Sequence, residues 1–137
     1  MKTVKVPAEL EELENVREFA DRILTDTIAS DEDQMAIELA IEEVFVNIVK
    51  YAGLPKTGQI MVSYEHDSNE EAIVIQFEDE GRPFNPLKSR DPDVMADLSD
   101  RVPGGLGIYM LKSLMDKVEY EYVEGMNRLV IWKKLSN

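Results

Sequence analysis

The sequence predicts an α+β fold, a two-layer sandwich in which helices cover one face of a mixed, mostly antiparallel β-sheet. Three observations lead to this prediction. Two long amphipathic segments lie near the amino terminus, two pairs of alternating apolar and polar runs are joined by short turns, and a glycine-rich segment introduces a further helical run between those pairs. The length of 137 residues suits one globular domain, so we expect a single domain over residues 1–137.

Local patterns justify each element in chain order. Alternation at residues 2–6 indicates an edge strand, and Pro7 suits the first turn of the helix that follows. Ser30 with Asp33 resembles a capping box, which marks the start of a second helix. Turn residues, Asp67-Ser68-Asn69 in the first case, separate the strands of each hairpin. The expected bounds are a strand at 2–6, helices at 7–29 and 31–52, strands at 59–66 and 71–79, a helix from the glycine-rich segment to about 115, and strands at 117–124 and 127–135.

A long segment without a clear element lies between the two hairpins. Residues 82–103 contain several prolines and aspartates, and one helical turn at most is expected there, at residues 92–98. Loops of this length inside a compact domain are usually functional lids or binding loops. We therefore expect this loop to take part in function.

Composition excludes several kinds of site and partner. The chain has no cysteine and one histidine, so disulfides and thiolate sites are excluded, a zinc site is not expected, and any metal should be a hard cation such as Mg²⁺. His66 is expected to be solvated at a hairpin turn. The net charge of −13 opposes binding to nucleic acid or to an anionic membrane, so neither partner is expected. Without a long apolar run or a secretory signal pattern, we expect a cytoplasmic protein.

The second predicted helix places a carboxylate and an amide side by side. Glu43 and Asn47 lie four residues apart on a narrow strip beside the core-facing stripe, with the small residues Ala36 and Ala40 one and two turns before them. A partly buried carboxylate needs a paired group, a metal or a substrate. The alternative is an exposed helix edge on which Glu43 is solvated.

In the stretch FEDEGRPF, residues 77–84, an apolar strand runs into three acidic residues and then a glycine. Asp79 is in phase with the apolar residues before it and should face the core, whereas Glu78 and Glu80 should be solvated on the other face. An inward carboxylate before Gly81, where a ligand can approach the backbone, suits an acceptor for a ligand N–H group. Phe84 follows a rigid proline and could wall a pocket. The alternative is a plain Asp-x-Gly turn.

The glycine-rich segment Gly104-Gly105-Leu106-Gly107 precedes the third predicted helix. Glycines let backbone N–H groups turn toward an anion, and a helix amino terminus favours negative charge, so this segment can hold phosphates. It is not a Walker loop, because no Gly-Lys-Ser/Thr sequence is present. The alternative is a plain helix-entry loop.

The order EEVFVN, DEGRPF, variable loop and GGLGI resembles the N-box and two glycine boxes of the GHKL ATPase superfamily. That superfamily has the Bergerat fold, shared by gyrase and histidine-kinase catalytic domains, and the resemblance covers nearly all of the chain. The sequence looks most like the bacterial anti-sigma-factor serine kinases. The resemblance implies ATP and Mg²⁺ as cofactors, a small antagonist protein and a sigma factor as partners, and a homodimer.

The resemblance also implies roles for individual residues. Glu43 corresponds to the general base that acts on the acceptor serine hydroxyl or on water, and Asn47 to the magnesium ligand. Asp79 corresponds to the aspartate that receives the adenine amino group, and Gly81 lets the ring lie close. The glycine box, with Gly105 and Gly107 foremost, meets the phosphates, and residues 85–103 form the lid.

Two positions depart from the family pattern. Lys50 stands where many relatives carry histidine, on nearly the same helix face as Asn47, and would add a cation near the phosphates. Asn127 of Gly125-Met126-Asn127 stands where relatives carry threonine. Three functions are compatible with this set: a serine kinase that also sequesters a sigma factor, a non-catalytic nucleotide-binding module, and an ATP hydrolase.

Overall fold

The computed structural model describes residues 2–25, 29–55, 57–88 and 105–135. These residues form five strands and three α-helices, with short 3₁₀ turns at Leu10–Glu12 and Pro86–Lys88. The elements are β1 (Lys2–Pro7), α1 (Leu13–Thr25), α2 (Asp31–Tyr51), β2 (Gln59–Asp67), β3 (Ala72–Asp79), α3 (Gly105–Leu114), β4 (Lys117–Val123) and β5 (Met126–Lys134).

The five strands form one sheet in the order β1-β2-β3-β5-β4, and each of the four pairings is antiparallel. The last hairpin therefore enters the sheet through β5, which lies between β3 and β4. This register places Asp79 opposite Ile60 on β2 and Asn127 on β5. The predicted α+β fold is confirmed.

The core lies between one face of the sheet and the three helices. Alternate strand residues such as Val62, Ile75 and Leu129 point to this face and are buried against helical residues such as Phe45 and Leu111. The inward row of β3 is Ile73, Ile75, Phe77 and Asp79, each 3 % exposed or less. Strand alternation therefore carries the carboxylate of Asp79 to the helix side of the sheet.

The first helix begins later than the sequence predicted. Pro7 pairs with Gln59 at the end of β1, and the N–H group of Ala8 donates to the carbonyl of Gly58 at 3.0 Å. Because proline lacks an N–H group, it ends an edge strand without losing a ladder hydrogen bond. The prediction of a helix from Pro7 is wrong for this reason. The structure describes α1 over Leu13–Thr25, and residues 26–28, which precede the predicted helix end near Ala29, lie outside the described residues.

The predicted turn chemistry is confirmed at three places. The Ser30 hydroxyl accepts a hydrogen bond from the N–H group of Asp33 at 3.1 Å and caps α2. The Asp67 carboxylate accepts from the N–H groups of residues 69 and 70 in the β2–β3 turn, beside the exposed His66. Gly125 has a φ of 78° in the two-residue β4–β5 turn, a conformation that favours glycine.

The long loop is described only at its beginning. Residues 89–104, with the helical turn predicted at 92–98, lie outside the described residues. Across the ranges that are described, no helix is both long and apolar enough to cross a bilayer.

The sheet face turned away from the helices carries an ionic row. Arg128 on β5 lies between Glu78 on β3 and Glu121 on β4, and its guanidinium contacts both carboxylates, at 3.2 and 2.9 Å. Gln76 also donates to Glu78 at 2.7 Å. The prediction that Glu78 is solvated is wrong, since this residue is only 8 % exposed and its carboxylate has charged and amide partners, whereas Glu80 is exposed as expected.

Candidate functional site

Glu43 and Asn47 form a bonded pair on α2. The buried amide of Asn47 donates to the Glu43 carbonyl at 2.8 Å and to Glu43 Oε1 at 2.7 Å. Both amide hydrogens are thus used, which fixes the orientation of the side chain. Within the described residues, no donor reaches Asn47 Oδ1 or Glu43 Oε2. The pair therefore presents two acceptor oxygens, and Glu43 is half-buried rather than solvated on an open helix edge.

Asp79 is a buried carboxylate of which one oxygen accepts hydrogen bonds from described residues and the other does not. Its Oδ1 accepts hydrogen bonds from the Gly81 N–H group at 2.8 Å and from the Asn127 amide at 2.9 Å. Burial raises the pKa of Asp79, and these two hydrogen bonds oppose the rise only in part. Among the residues described, none donates to Oδ2. The two alternatives predicted for Asp79, a plain Asp-x-Gly turn and an inward acceptor, are thus both present. Oδ1 accepts the hydrogen bond that closes the turn, and Oδ2 can accept a hydrogen bond from a ligand.

Gly81 brings the loop after β3 against the end of α2. A Cβ atom at this position would lie 2.5 Å from the Ala52 carbonyl oxygen and 2.8 Å from Asp79 Oδ1, so no side chain fits. The next residue, Arg82, donates its N–H group to the same carbonyl at 3.1 Å. Asn47 lies five residues before Ala52, about 7.5 Å along the helix axis. Asp79 therefore lies where the end of β3 meets the end of α2, and Glu43 lies one further turn back along this helix, about 13.5 Å from Ala52 along the axis.

Asn127 joins three parts of this region. Its amide donates to Asp79 Oδ1 at 2.9 Å and to the Arg82 carbonyl at 2.8 Å, and its Oδ1 accepts from the Phe84 N–H group at 2.9 Å and from the Tyr120 hydroxyl at 2.5 Å. The sequence indicated Asn127 only as a departure from the family pattern. Its inward phase with the buried apolar residues of β5 was the signal for a role in the site.

Replacing Asn127 by alanine should destabilise the fold by about 1–3 kcal/mol, because the Arg82 carbonyl and the Phe84 N–H group lose their side-chain partner and the Asp79 carboxylate loses one of its two donors. We also expect weaker ATP binding, since Asp79 loses one of the two donors that hold it. Urea denaturation and calorimetry measure the two effects. Asn69→Ala, at an exposed turn position, is the control and should change neither quantity. An Asn127→Ala protein as stable as the parent would contradict this role.

Phe84 and Lys50 lie near the last turn of α2. The ring of Phe84 is half-buried and contacts Tyr51, with 5.8 Å between ring centroids and an interplanar angle of 36°. Lys50 is exposed, and no ion pair or hydrogen bond links it to another described residue. Asn127 thus connects Phe84 to Asp79 through hydrogen bonds with both residues, whereas Lys50 takes no part in these hydrogen bonds.

Three residues of the glycine box form the start of α3. Gly105, Leu106 and Gly107 are the first residues of this helix, and Gly104 lies outside the described residues. The first N–H groups of a helix have no partner within it, so this turn offers donors to an anion. Of the described residues, no three histidines or carboxylates come together as a metal cluster.

The chain is similar in sequence to known proteins. The sequence profile of a family described as histidine kinase-like ATPase domain matches residues 6–133. The chain is 28 % identical over 131 residues to the serine-protein kinase RsbW of Bacillus mycoides, and 26 % identical over 129 residues to that of Bacillus cereus. Each alignment covers 93 % of this chain and 81 % of the relative.

Two solved structures have a similar fold. The RsbU and RsbW domains of Rv1364c from Mycobacterium tuberculosis align over 100 % of this chain with a TM-score of 0.66 and 15 % identity. The histidine kinase domain of a blue-light activated histidine kinase from Erythrobacter litoralis aligns over 94 % with a TM-score of 0.55 and 16 % identity. The chain spans 33 % and 61 % of the lengths of those two chains.

Proposed function

Because the chain belongs to the histidine kinase-like ATPase domain family, we propose that it binds ATP with Mg²⁺ and phosphorylates a serine or threonine of a small antagonist protein. The family resemblance that the motifs predicted is confirmed. The proposal has five parts besides nucleotide binding. They are the kinase activity, the antagonist and sigma-factor partners, a homodimer, a single domain over the whole chain and a cytoplasmic location.

The observation that carries the proposal is the Glu43–Asn47 pair. Phosphoryl transfer depends mainly on alignment and charge neutralisation, with a base near the attacking hydroxyl. Glu43 Oε2 is an acceptor that can take the hydroxyl proton, while Oε1 stays bonded to Asn47. Asn47 Oδ1 is a buried oxygen without a described donor, and it would suit a hard cation such as Mg²⁺. A bound Mg²⁺ would supply charge neutralisation at the phosphates.

The buried carboxylate of Asp79 favours adenine over guanine as the base of the bound nucleotide. Its Oδ2 is a buried acceptor without a described donor, and the adenine amino group is a donor. Guanine carries a carbonyl oxygen at the corresponding position and would place an acceptor against a carboxylate. The N–H groups of Gly105, Leu106 and Gly107 would bind phosphate oxygens at the start of α3.

A thermal-shift comparison tests nucleotide binding. With Mg²⁺ present, ATP should raise the melting temperature, because a ligand that binds only the native state stabilises it by about 4 kcal/mol at a concentration 1,000 times Kd. GTP at the same concentration should have little effect. Equal shifts with ATP and GTP would refute the role of Asp79, and no shift with ATP would refute the proposed function.

Incubation with labelled ATP and candidate antagonist proteins then separates the three functions. Label on the antagonist identifies a kinase, and free phosphate without an acceptor identifies a hydrolase. Nucleotide binding with neither product identifies a regulatory module.

A further inference from the structure

Exposed apolar side chains concentrate on α2 and α3. Five large apolar residues are at least 41 % exposed in the described part of the chain, and three of them, Met35, Leu39 and Met110, lie on the outer faces of α2 and α3. The other two, Leu10 and Tyr122, lie on a 3₁₀ turn and on β4. Clustered exposed apolar residues are typical of an interaction surface, whereas scattered ones need no explanation.

Side chains of α2 and α3 form a groove beside Glu43. Its volume is about 300 Å³, and its lining includes Leu39, Glu43, Val46, Met110 and Leu114. A second hollow of about 320 Å³ shares Leu39 and extends from α2 across to α1. The two hollows are neighbours, because Leu39 and Glu42 line both, and we call them the α2–α3 groove and its α1 extension.

The charge of this surface is negative. The α1 extension is lined by Asp21, Glu38 and Glu42, and its one described cation, Arg17, already pairs with Glu42 at 2.8 Å. A hydrogen bond with Asp21 raises the pKa of Glu38, and burial adds to the rise, because two carboxyl groups are crowded together. A positively charged group placed here would relieve that crowding.

We propose that the α2–α3 groove binds the acceptor segment of a protein substrate, with an apolar side chain of the segment in the groove and a lysine or arginine against the α1 extension. The inference rests on the proposed kinase function. Glu43 lines the groove, so a serine or threonine next to the apolar side chain would lie near Oε2, the carboxylate oxygen without a described donor. Methionine side chains at 35 and 110 can adapt to the shape of such a segment.

Charge favours a basic polypeptide over the other occupants. An anionic membrane surface would be repelled by the acidic rim. A second copy of this chain in a two-fold arrangement would place that acidic rim against itself, since both subunits contribute the same patch. A segment with one apolar and one basic side chain complements both the apolar α2–α3 groove and its acidic α1 extension.

Two synthetic serine peptides test the proposal. They have equal length and one leucine, and they differ in two flanking residues, lysine in one and glutamate in the other. Fluorescence anisotropy with Mg²⁺ and ADP should show at least about tenfold tighter binding of the lysine peptide, because like charges across an interface are costly. Equal binding of both peptides, or no binding of the lysine peptide, would overturn the proposal.

Substitutions in the groove locate the binding site. The double variant Leu39→Ser, Met110→Ser should bind the lysine peptide roughly tenfold more weakly or worse, as expected for apolar anchors. Leu10→Ser is the matched control, since Leu10 is 48 % exposed and lies outside the groove, and it should bind as the parent does. Undiminished binding by the double variant would overturn the proposal.

The melting temperature distinguishes failure of this inference from failure of the proposed function. Lost peptide binding together with a retained ATP-dependent rise supports docking in the groove. Loss of the ATP-dependent rise in the double variant would assign the groove to the nucleotide site. Dissociation of a dimer in sedimentation would assign the groove to a second copy of the chain. Either result would overturn the proposal. If the parent protein shows no ATP-dependent rise, the proposed function fails whatever the peptides do.

Discussion

Replacing Glu43 by glutamine is expected to lower the rate of phosphoryl transfer to a protein acceptor by about 10²–10⁴-fold, the usual contribution of a general base. The amide cannot take the hydroxyl proton. Its oxygen can still accept the 2.7 Å hydrogen bond from Asn47, so the pair should keep its geometry. Initial rates with labelled ATP at saturation measure the effect.

Nucleotide binding is the internal control for this variant. Glu43→Gln should bind ATP nearly as well as the parent, because the substituted oxygen faces the acceptor hydroxyl in our proposal. Glu32→Gln, in the exposed first turn of α2, should transfer phosphate at the parental rate. Full transfer activity in Glu43→Gln would show that another group takes the proton.

Replacing Asp79 by asparagine is expected to weaken ATP binding by about ten- to a hundredfold, which corresponds to about 1–3 kcal/mol. The two side chains have nearly the same shape. Asparagine can keep the hydrogen bonds from Gly81 and Asn127 through its single oxygen, which places its amino group where Oδ2 was. A donor would then face the adenine amino group. Calorimetry with ATP measures the loss, and unchanged affinity would contradict the assignment of adenine to Asp79.

The same substitution should stabilise the free protein at neutral pH. Burial raises the pKa of Asp79 in the folded state above its value in the unfolded state. The stability that the protonated carboxyl group allows is therefore fully present below the unfolded-state pKa, and it is lost as pH rises through the folded-state pKa. Asparagine carries no charge and avoids that loss. Urea denaturation at several pH values should show a stability advantage of Asp79→Asn at neutral pH that disappears in acid, whereas Asp31→Asn, at an exposed position, should show none.

Local patterns were sufficient to predict the positions of the main site residues. A spacing of four residues on a helix places Glu43 and Asn47 side by side, and alternation along β3 turns Asp79 inward, as the structure has them. Both predictions depend only on the periods of a helix and a strand. They needed no knowledge of which elements pack together.

The features that were missed depend on contacts between distant parts of the chain. Glu78 was expected in solvent because alternation indicates a face of the sheet and not a cross-strand partner, here Arg128, 50 residues away. Asn127 bonds to Asp79 across 48 residues. Pro7 was compatible both with a strand end and with a helix start, and pairing with β2 decided between them. Tertiary pairing, which local sequence does not encode, explains all three.

The position of β5 has a consequence for synthesis of the protein. On the ribosome, β1, β2 and β3 can pair early, but the free edge of β3 has no neighbour until residues 126–134 emerge. Such an open edge invites pairing with other nascent chains. Asn127 arrives with β5, so a nascent chain that stops before this strand lacks one of the two donors that hold Asp79, and in our proposal the adenine site is complete only once β5 has joined the sheet.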